Sequence, residues 1–167
     1  MDNFQVAIAG VKIAAKVLDI GDVNVEFLEK SYFPNPEINA VFLKENITVV
    51  FNKEWIINST FLEIMVAAFH ETRHAYQYFQ ITESELMKYQ QKEETVRKWS
   101  IEFEKYIKPC TYSDLEIDYM NQDIEIDAIA FSCFLIKKLF EVNTIVPKVI
   151  KDKVEYKITN LEKKSLL

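Results

Sequence analysis

The two histidines of this chain lie four residues apart, in the stretch FHETRHAYQ that spans residues 69–77. On an α-helix, residues four positions apart differ by about 40° around the axis, so the imidazoles of His70 and His74 would face the same side. Two imidazoles placed in this way can reach one ion at about 2 Å from each ring nitrogen. The spacing therefore predicts the two-histidine part of a zinc site on a helix.

Glu71 directly follows the first histidine and would be rotated from it by about 100° on a helix. In that position its carboxylate is poorly placed to share the metal, but it can stand beside a metal-bound water. A carboxylate there suits a general base, because it accepts a proton as the water attacks a carbonyl, while the metal lowers the pKa of the water to about 7. The pattern H-E-x-x-H thus indicates zinc-assisted hydrolysis.

The same pattern also arises by chance, and a pair of surface histidines on an amphipathic helix needs no metal. The flanking residues favour the functional interpretation, because VAAF precedes the histidines and AYQYF follows them, so the surroundings are apolar enough to bury a site. The competing hypothesis is a helical interaction domain with an accidental motif, which would bind no metal.

A third ligand must be a carboxylate or a cysteine, because catalytic zinc usually has three protein ligands and the chain has no third histidine. The segment NQDIEIDAIAF, residues 121–131, carries Asp123, Glu125 and Asp127 among apolar residues. Acidic side chains in an apolar helix are costly unless they are paired or bound to a cation. Asp123 and Asp127 would share a face and Glu125 would lie 160–200° away, roughly opposite, so the three cannot all bind one ion. The residues alone leave the choice open.

The elements that must position these residues begin with a helix in the first twenty residues. Three strands are then predicted, for residues 23–28, 40–45 and 46–55, and the last two form a predicted hairpin. From Thr60 onward the pattern is helical. Helices are predicted for residues 61–79, 83–107, 114–140 with a pause at Asn121, and 147–164. S/T-x-x-E capping boxes mark three of the starts, at Thr60/Glu63, Thr82/Glu85 and Ser113/Glu116. These elements predict an α+β fold with a small three-stranded sheet and a mainly helical second part.

Length, charge and cysteine use narrow the class of protein. The 167 residues contain no linker-like run, so we expect a single domain over residues 1–167. A net charge of −6 with scattered Lys and Arg argues against a nucleic-acid partner. Lys12, Lys16 and Asp19 interrupt the apolar N-terminus too early for a signal peptide or a membrane span. Cys110 and Cys133 have no paired spacing, which is typical of reduced cysteines in a cytoplasmic protein.

His70-Glu71-x-x-His74, followed some fifty residues later by an acidic E-x-D-A helix, resembles the zincin metallopeptidases of the gluzincin type. The order of helix, strands, H-E-x-x-H helix and acidic helix is similar to the minimal zincin core, and small intracellular peptidases of the ImmA/IrrE type are distantly similar. The resemblance implies that His70 and His74 bind zinc, that Glu71 is the general base and that Glu125 is the third ligand. Asp127 would then support a ligand histidine.

Gluzincins with an E-x-x-x-D helix imply another register, in which Asp123 takes the ligand position and Asp127 supports the site. A tyrosine or histidine in such enzymes stabilises the oxyanion, which makes Tyr119 and Tyr112 the candidate donors here. We expect one zinc ion per chain and a metallopeptidase that cleaves one or a few protein or peptide substrates. Non-haem Fe(II) would accept the same ligand types. The alternative is a non-catalytic zincin-fold protein with an interaction or regulatory role, in which the metal is structural or absent.

Overall fold

The structure of the chain is a computed structural model that describes residues 2–35, 37–108 and 113–163, with only the backbone described for residues 113–115. The chain divides into two compact units, Met1–Tyr76 and Gln77–Leu167. A helix, a small three-stranded mixed sheet and a mainly helical second part follow one another along the chain. The predicted α+β class is therefore confirmed.

Helix α1, Asn3–Leu18, opens the first unit with one apolar face turned inward. The Asp2 side chain caps its start by accepting a hydrogen bond from the backbone N–H of Gln5 at 2.8 Å. Its buried residues recur at the helical period: Val6, Ala7, Gly10, Val11, Ala14, Ala15 and Leu18. The helix ends where Asp19 adopts a left-handed conformation with φ 52°.

The sheet contains strands β1, Asn24–Leu28, β2, Ala40–Leu43, and β3, Thr48–Asn52, in the order β1-β3-β2. Strands β2 and β3 are antiparallel, as the predicted hairpin requires, whereas β1 runs parallel to β3. All five residues of the central strand β3 are buried. The rings of Phe4 on α1 and Phe27 on β1 pack edge to face with centroids 4.9 Å apart, which joins the helix to the sheet.

The third strand ends earlier than the sequence suggested, because Asn52 begins a helix. Its Oδ1 accepts hydrogen bonds from the backbone N–H groups of Glu54 and Trp55 at 3.0 and 3.3 Å, which caps helix α2, Lys53–Asn58. Asn3 ties this helix to α1 by donating to the carbonyl of Ile56 at 2.8 Å. Helix α3, Phe61–Thr82, follows and carries both histidines.

The predicted helix over residues 83–107 is wrong at its start. Thr82 does not cap a helix; it is the last residue of α3, and its hydroxyl donates to the carbonyl of Tyr78 at 3.0 Å. The next residues form a 3₁₀ turn, Ser84–Leu86, and helix α4 covers only Glu93–Glu104. The cause lies in Gln80, a buried side chain that donates to the carbonyl of Tyr89 at 2.8 Å and accepts from the backbone N–H of Gln91 at 2.9 Å. These bonds hold the intervening segment as a loop.

Three further helices complete the second unit: α5, Ser113–Met120, α6, Asp123–Phe140, and α7, Lys151–Lys163. The predicted pause at Asn121 is the break between α5 and α6. The Ser113 side chain lies outside the described part of the chain, so its capping box stays a prediction. Helix α6 is buried along most of its length and packs against α7. Within the described residues, no helix has both the length and the apolar character needed to cross a bilayer.

Candidate metal centre

The Thr60/Glu63 capping box predicted for the start of α3 is present. The Glu63 carboxylate accepts hydrogen bonds from the backbone N–H and the hydroxyl of Thr60, both at 2.7 Å, and the Thr60 hydroxyl accepts from the backbone N–H of Glu63 at 3.4 Å. Because these bonds favour the ionised carboxylate, they lower the pKa of Glu63. The cap fixes where α3 begins and therefore the phase of every side chain along it.

His70 and His74 face the same side of α3, as their spacing predicts. Their Nε2 atoms are 3.1 Å apart, and the ring planes meet at 83° with centroids 4.7 Å apart. Zinc binds imidazole nitrogen at about 2.0–2.1 Å, so one ion can contact two nitrogens at this separation. His74 is buried and His70 is half-buried. The pair thus has the separation and the partial burial of a two-histidine metal-binding element.

The residues between the two histidines differ in environment. Glu71 is half-buried, and its role as a base stays a prediction. Thr72 is buried, and its hydroxyl donates to the carbonyl of Ala68 at 2.7 Å. Arg73 is only 2% exposed and stacks its guanidinium 4.2 Å from the centre of the Tyr76 ring. The charge of Arg73 is therefore buried in the protein.

The carboxylate of Glu125, in the first turn of α6, is fully buried. It accepts hydrogen bonds at both oxygens, from the Tyr106 hydroxyl to Oε1 at 2.7 Å and from the Tyr119 hydroxyl to Oε2 at 2.9 Å. The oxyanion role suggested for Tyr119 stays a prediction, since its hydroxyl points to Glu125 here. Tyr112, the other candidate donor, lies outside the described residues. Tyr106 was not anticipated, because nothing in its sequence context marks it.

Asp123 and Asp127 share a face of α6, as their spacing predicts, and both approach Lys157 of α7. The Lys157 ammonium lies 3.1 Å from Asp123 Oδ2 and 4.0 Å from Asp127 Oδ1. Lys98 of α4 adds a second contact to Asp123, at 4.0 Å. The Asp127 carboxylate also accepts a hydrogen bond from Gln77 Nε2 at 2.9 Å. The two aspartates are therefore engaged by lysine and amide groups.

The start of α6 is held by a carboxylate from another helix. The two oxygens of Glu102 on α4 accept hydrogen bonds from the backbone N–H groups of Asp123 and Ile124, each at 2.9 Å. These N–H groups have no partner within their own helix, and a negative charge at a helix N-terminus is favourable. The turn that carries Glu125 is thus fixed by an outside cap that the sequence did not reveal.

Gln77 lies one turn after His74 on α3, on the face that carries both histidines. Its buried amide donates to the carbonyl of Ile124 at 3.0 Å as well as to Asp127. The spacing of Gln77 from the histidines, three and seven residues, was a signal that sequence reasoning missed. The contacts of Gln77 join the C-terminal part of α3 to the first turn of α6.

His70, His74 and Glu125 form a group that could hold a metal ion. Each offers one ligand atom, and these atoms all lie within 4.8 Å of one another. Two imidazoles and one carboxylate are donors that zinc accepts, so the residues present fit the ion that the sequence suggested.

Comparison of the chain with protein-family models, with curated proteins and with solved structures found no match. The resemblance to zincins therefore rests on the residues themselves.

Proposed function

We propose that this protein is a zinc-dependent metallopeptidase of the zincin type, in which His70, His74 and Glu125 hold one zinc ion. The observation that carries the proposal is the grouping of their ligand atoms within 4.8 Å. Two imidazoles and one carboxylate give three protein ligands, which is the number that catalytic zinc sites use, with a fourth position left for water.

Glu125 is preferred over Asp123 as the third ligand because their environments differ. The Tyr106 and Tyr119 hydroxyls orient the Glu125 carboxylate, and its ligand atom lies within 4.8 Å of those of both histidines. Asp123 instead has the Lys157 ammonium at 3.1 Å, and that positive charge competes with a cation. The glutamate thus supplies the more suitable ligand.

Zinc, when bound, would activate a water molecule for attack and polarise the carbonyl of a peptide bond. Glu71 would accept the proton of the attacking water and pass it to the leaving amine. The half-buried position of Glu71, next to a ligand histidine on a rigid helix, supports this role. We further propose that the substrates are one or a few proteins or peptides and that the enzyme acts in the cytoplasm, since neither cysteine has the spacing of a disulfide pair.

The decisive experiment is elemental mass spectrometry of the purified protein after loading with zinc and removal of excess metal. We expect about one zinc per chain in the wild type and in Asp123→Asn, and a loss of zinc in His74→Ala and Glu125→Gln. Asp123→Asn is the matched control, because it removes an acid from the same helical turn. Absence of stoichiometric zinc from the wild type would rule out the proposal, and loss of zinc in Asp123→Asn alone would move the third ligand to that residue.

A further inference from the structure

The Glu125 carboxylate has one tyrosine hydroxyl at each oxygen, an arrangement that constrains it in two directions. The rings of Tyr106 and Tyr119 meet edge to face, with centroids 6.2 Å apart and an interplanar angle of 89°. Because the two hydroxyls approach different oxygens, the carboxylate cannot rotate without losing a bond.

A fully buried carboxylate is unfavourable unless donors or a cation stabilise its charge. The two phenol hydroxyls are such donors, and because they approach different oxygens they hold the carboxylate in one orientation. A carboxylate that is already oriented needs less rearrangement when it becomes a metal ligand.

Gln122 fixes the backbone beside both tyrosines. Its amide exchanges two hydrogen bonds with Ile107, the residue after Tyr106, accepting from the N–H at 2.9 Å and donating to the carbonyl at 2.9 Å. The same amide nitrogen donates to the carbonyl of Tyr119 at 3.1 Å. Gln122 is 6% exposed and immediately precedes α6. One buried amide thus ties both tyrosines to the helix whose glutamate they hold.

We propose that Tyr106 and Tyr119 are positioning residues that hold the Glu125 carboxylate oriented for metal binding. The inference rests on the proposed zinc site. It gives Tyr119 a role on the ligand instead of on the reacting carbonyl, and it adds Tyr106, which the sequence did not single out. Groups that orient a metal ligand in this way typically change metal affinity by 10–100-fold when they are removed.

The test is titration of the metal-free protein with Co²⁺, a spectroscopic substitute for zinc whose visible absorption reports ligand geometry, followed by competition with Zn²⁺. We expect Tyr106→Phe and Tyr119→Phe to weaken binding by about 10–100-fold each and to alter the absorption bands. Tyr156→Phe, a tyrosine on α7 that is 69% exposed, is the matched control and should behave as the wild type.

The outcomes separate this inference from the proposed function. A wild type that binds no Co²⁺ or Zn²⁺ would refute both. A wild type that binds metal, with unchanged affinity and bands in both phenylalanine variants, would refute only the positioning role. A melting curve of each metal-free variant checks its folding. If Tyr119→Phe does not fold, Tyr106→Phe decides the question, because Tyr106 is 38% exposed and loses only a hydroxyl.

Discussion

Glu125 and Asp127 lie two residues apart on one buried helix, and groups of different chemical kind contact their carboxylates. Glu125 accepts hydrogen bonds from two phenols, whereas Asp127 meets the Gln77 amide and the Lys157 ammonium. A phenol donor orients a carboxylate and carries no charge, whereas an ammonium group offsets the negative charge. The neighbours of Asp127 therefore include a cation that would compete with a metal ion for its carboxylate.

Substitution of Glu71 by glutamine tests the catalytic role at the residue scale. Glutamine keeps the size of the side chain but cannot act as the proton acceptor. Because Glu71 lies outside the proposed ligand set, we expect the zinc content to stay at about one ion per chain. Peptide cleavage should fall by about 10²–10⁴-fold, the usual contribution of a general base. The measurement is cleavage of a degenerate synthetic decapeptide mixture, followed by mass spectrometry.

Glu45→Gln is the control for this experiment, because it makes the same change at an exposed position in the turn between β2 and β3, outside the proposed site. Absence of cleavage by the zinc-bound wild type would support the non-catalytic alternative. Equal cleavage by the wild type and Glu71→Gln, with zinc bound in both, would contradict the role of Glu71 as the general base. Failure of Glu71→Gln to bind zinc would contradict the assignment of Glu71 as a base outside the ligand set.

At the scale of the elements, sequence patterns predicted the structure correctly where the hydrogen bonds that they imply form between residues a few positions apart. The Thr60/Glu63 box closes on itself, so its sequence pattern was sufficient to predict the start of α3. The Thr82/Glu85 box failed because the side chain of Gln80 holds the following segment as a loop. Local pattern cannot reveal a competing bond of this kind.

In the candidate site, too, the sequence predicted the local features but not the contacts between residues distant along the chain. Its two histidines were predictable, since one helical spacing defines them. Tyr106 reaches Glu125 from nineteen residues away, and Glu102 caps α6 from more than twenty, so neither contact has a sequence signature. The choice of Glu125 followed from the resemblance to gluzincins and could not be made from helical phase alone.

The cap of α3 should make stability depend on pH in a defined direction. Hydrogen bonds from Thr60 lower the pKa of Glu63 in the folded protein, so the ionised carboxylate stabilises the fold above the ordinary glutamate pKa of about 4.3. This contribution is lost as the pH falls through the folded pKa. We expect the difference in Tm between the wild type and Glu63→Gln to be largest near pH 7 and to shrink below pH 4.

The measurement is thermal unfolding by circular dichroism at intervals from pH 7 to pH 3, in low salt. Glu45→Gln, in the turn between β2 and β3, is the control and should show no such convergence with the wild type. A difference between Glu63→Gln and the wild type that grows toward acid would contradict the assigned sign.

Gly10 is a position where α1 packs closely against α3. A Cβ at this position would lie 2.7 Å from the Cβ of Ala68 and 3.2 Å from Met65 Sδ. Alanine would gain about 1 kcal/mol of helix propensity, but overpacking against a rigid Cβ typically costs 1–3 kcal/mol. We expect Gly10→Ala to lower the free energy of unfolding by up to about 2 kcal/mol. Urea denaturation measures this change.

The exposed Lys12→Ala substitution on the same helix is the control, since it changes propensity little and meets no neighbour in the core. An increase in stability for Gly10→Ala would show that α1 can move away from α3 at no cost.

At the scale of the whole molecule, charge and ligand binding are the properties that act on the entire chain. The net charge of −6 is unfavourable for a nucleic-acid partner, and that exclusion stays a prediction. The same negative charge favours the approach of a divalent cation. Metal binding, unlike a local cap, should therefore be visible in global unfolding.

Zinc should stabilise the folded chain by mass action. A ligand that binds only the folded state at 100 times its Kd adds about 2.7 kcal/mol to the free energy of unfolding. We expect the Tm to rise with zinc concentration and to return to the metal-free value when a chelator is added. His74→Ala should show no zinc-dependent rise, whereas Asp123→Asn should keep it. A rise of the same size in His74→Ala would place the bound ion outside the proposed group. A wild-type Tm that does not respond to zinc would contradict the proposed zinc site.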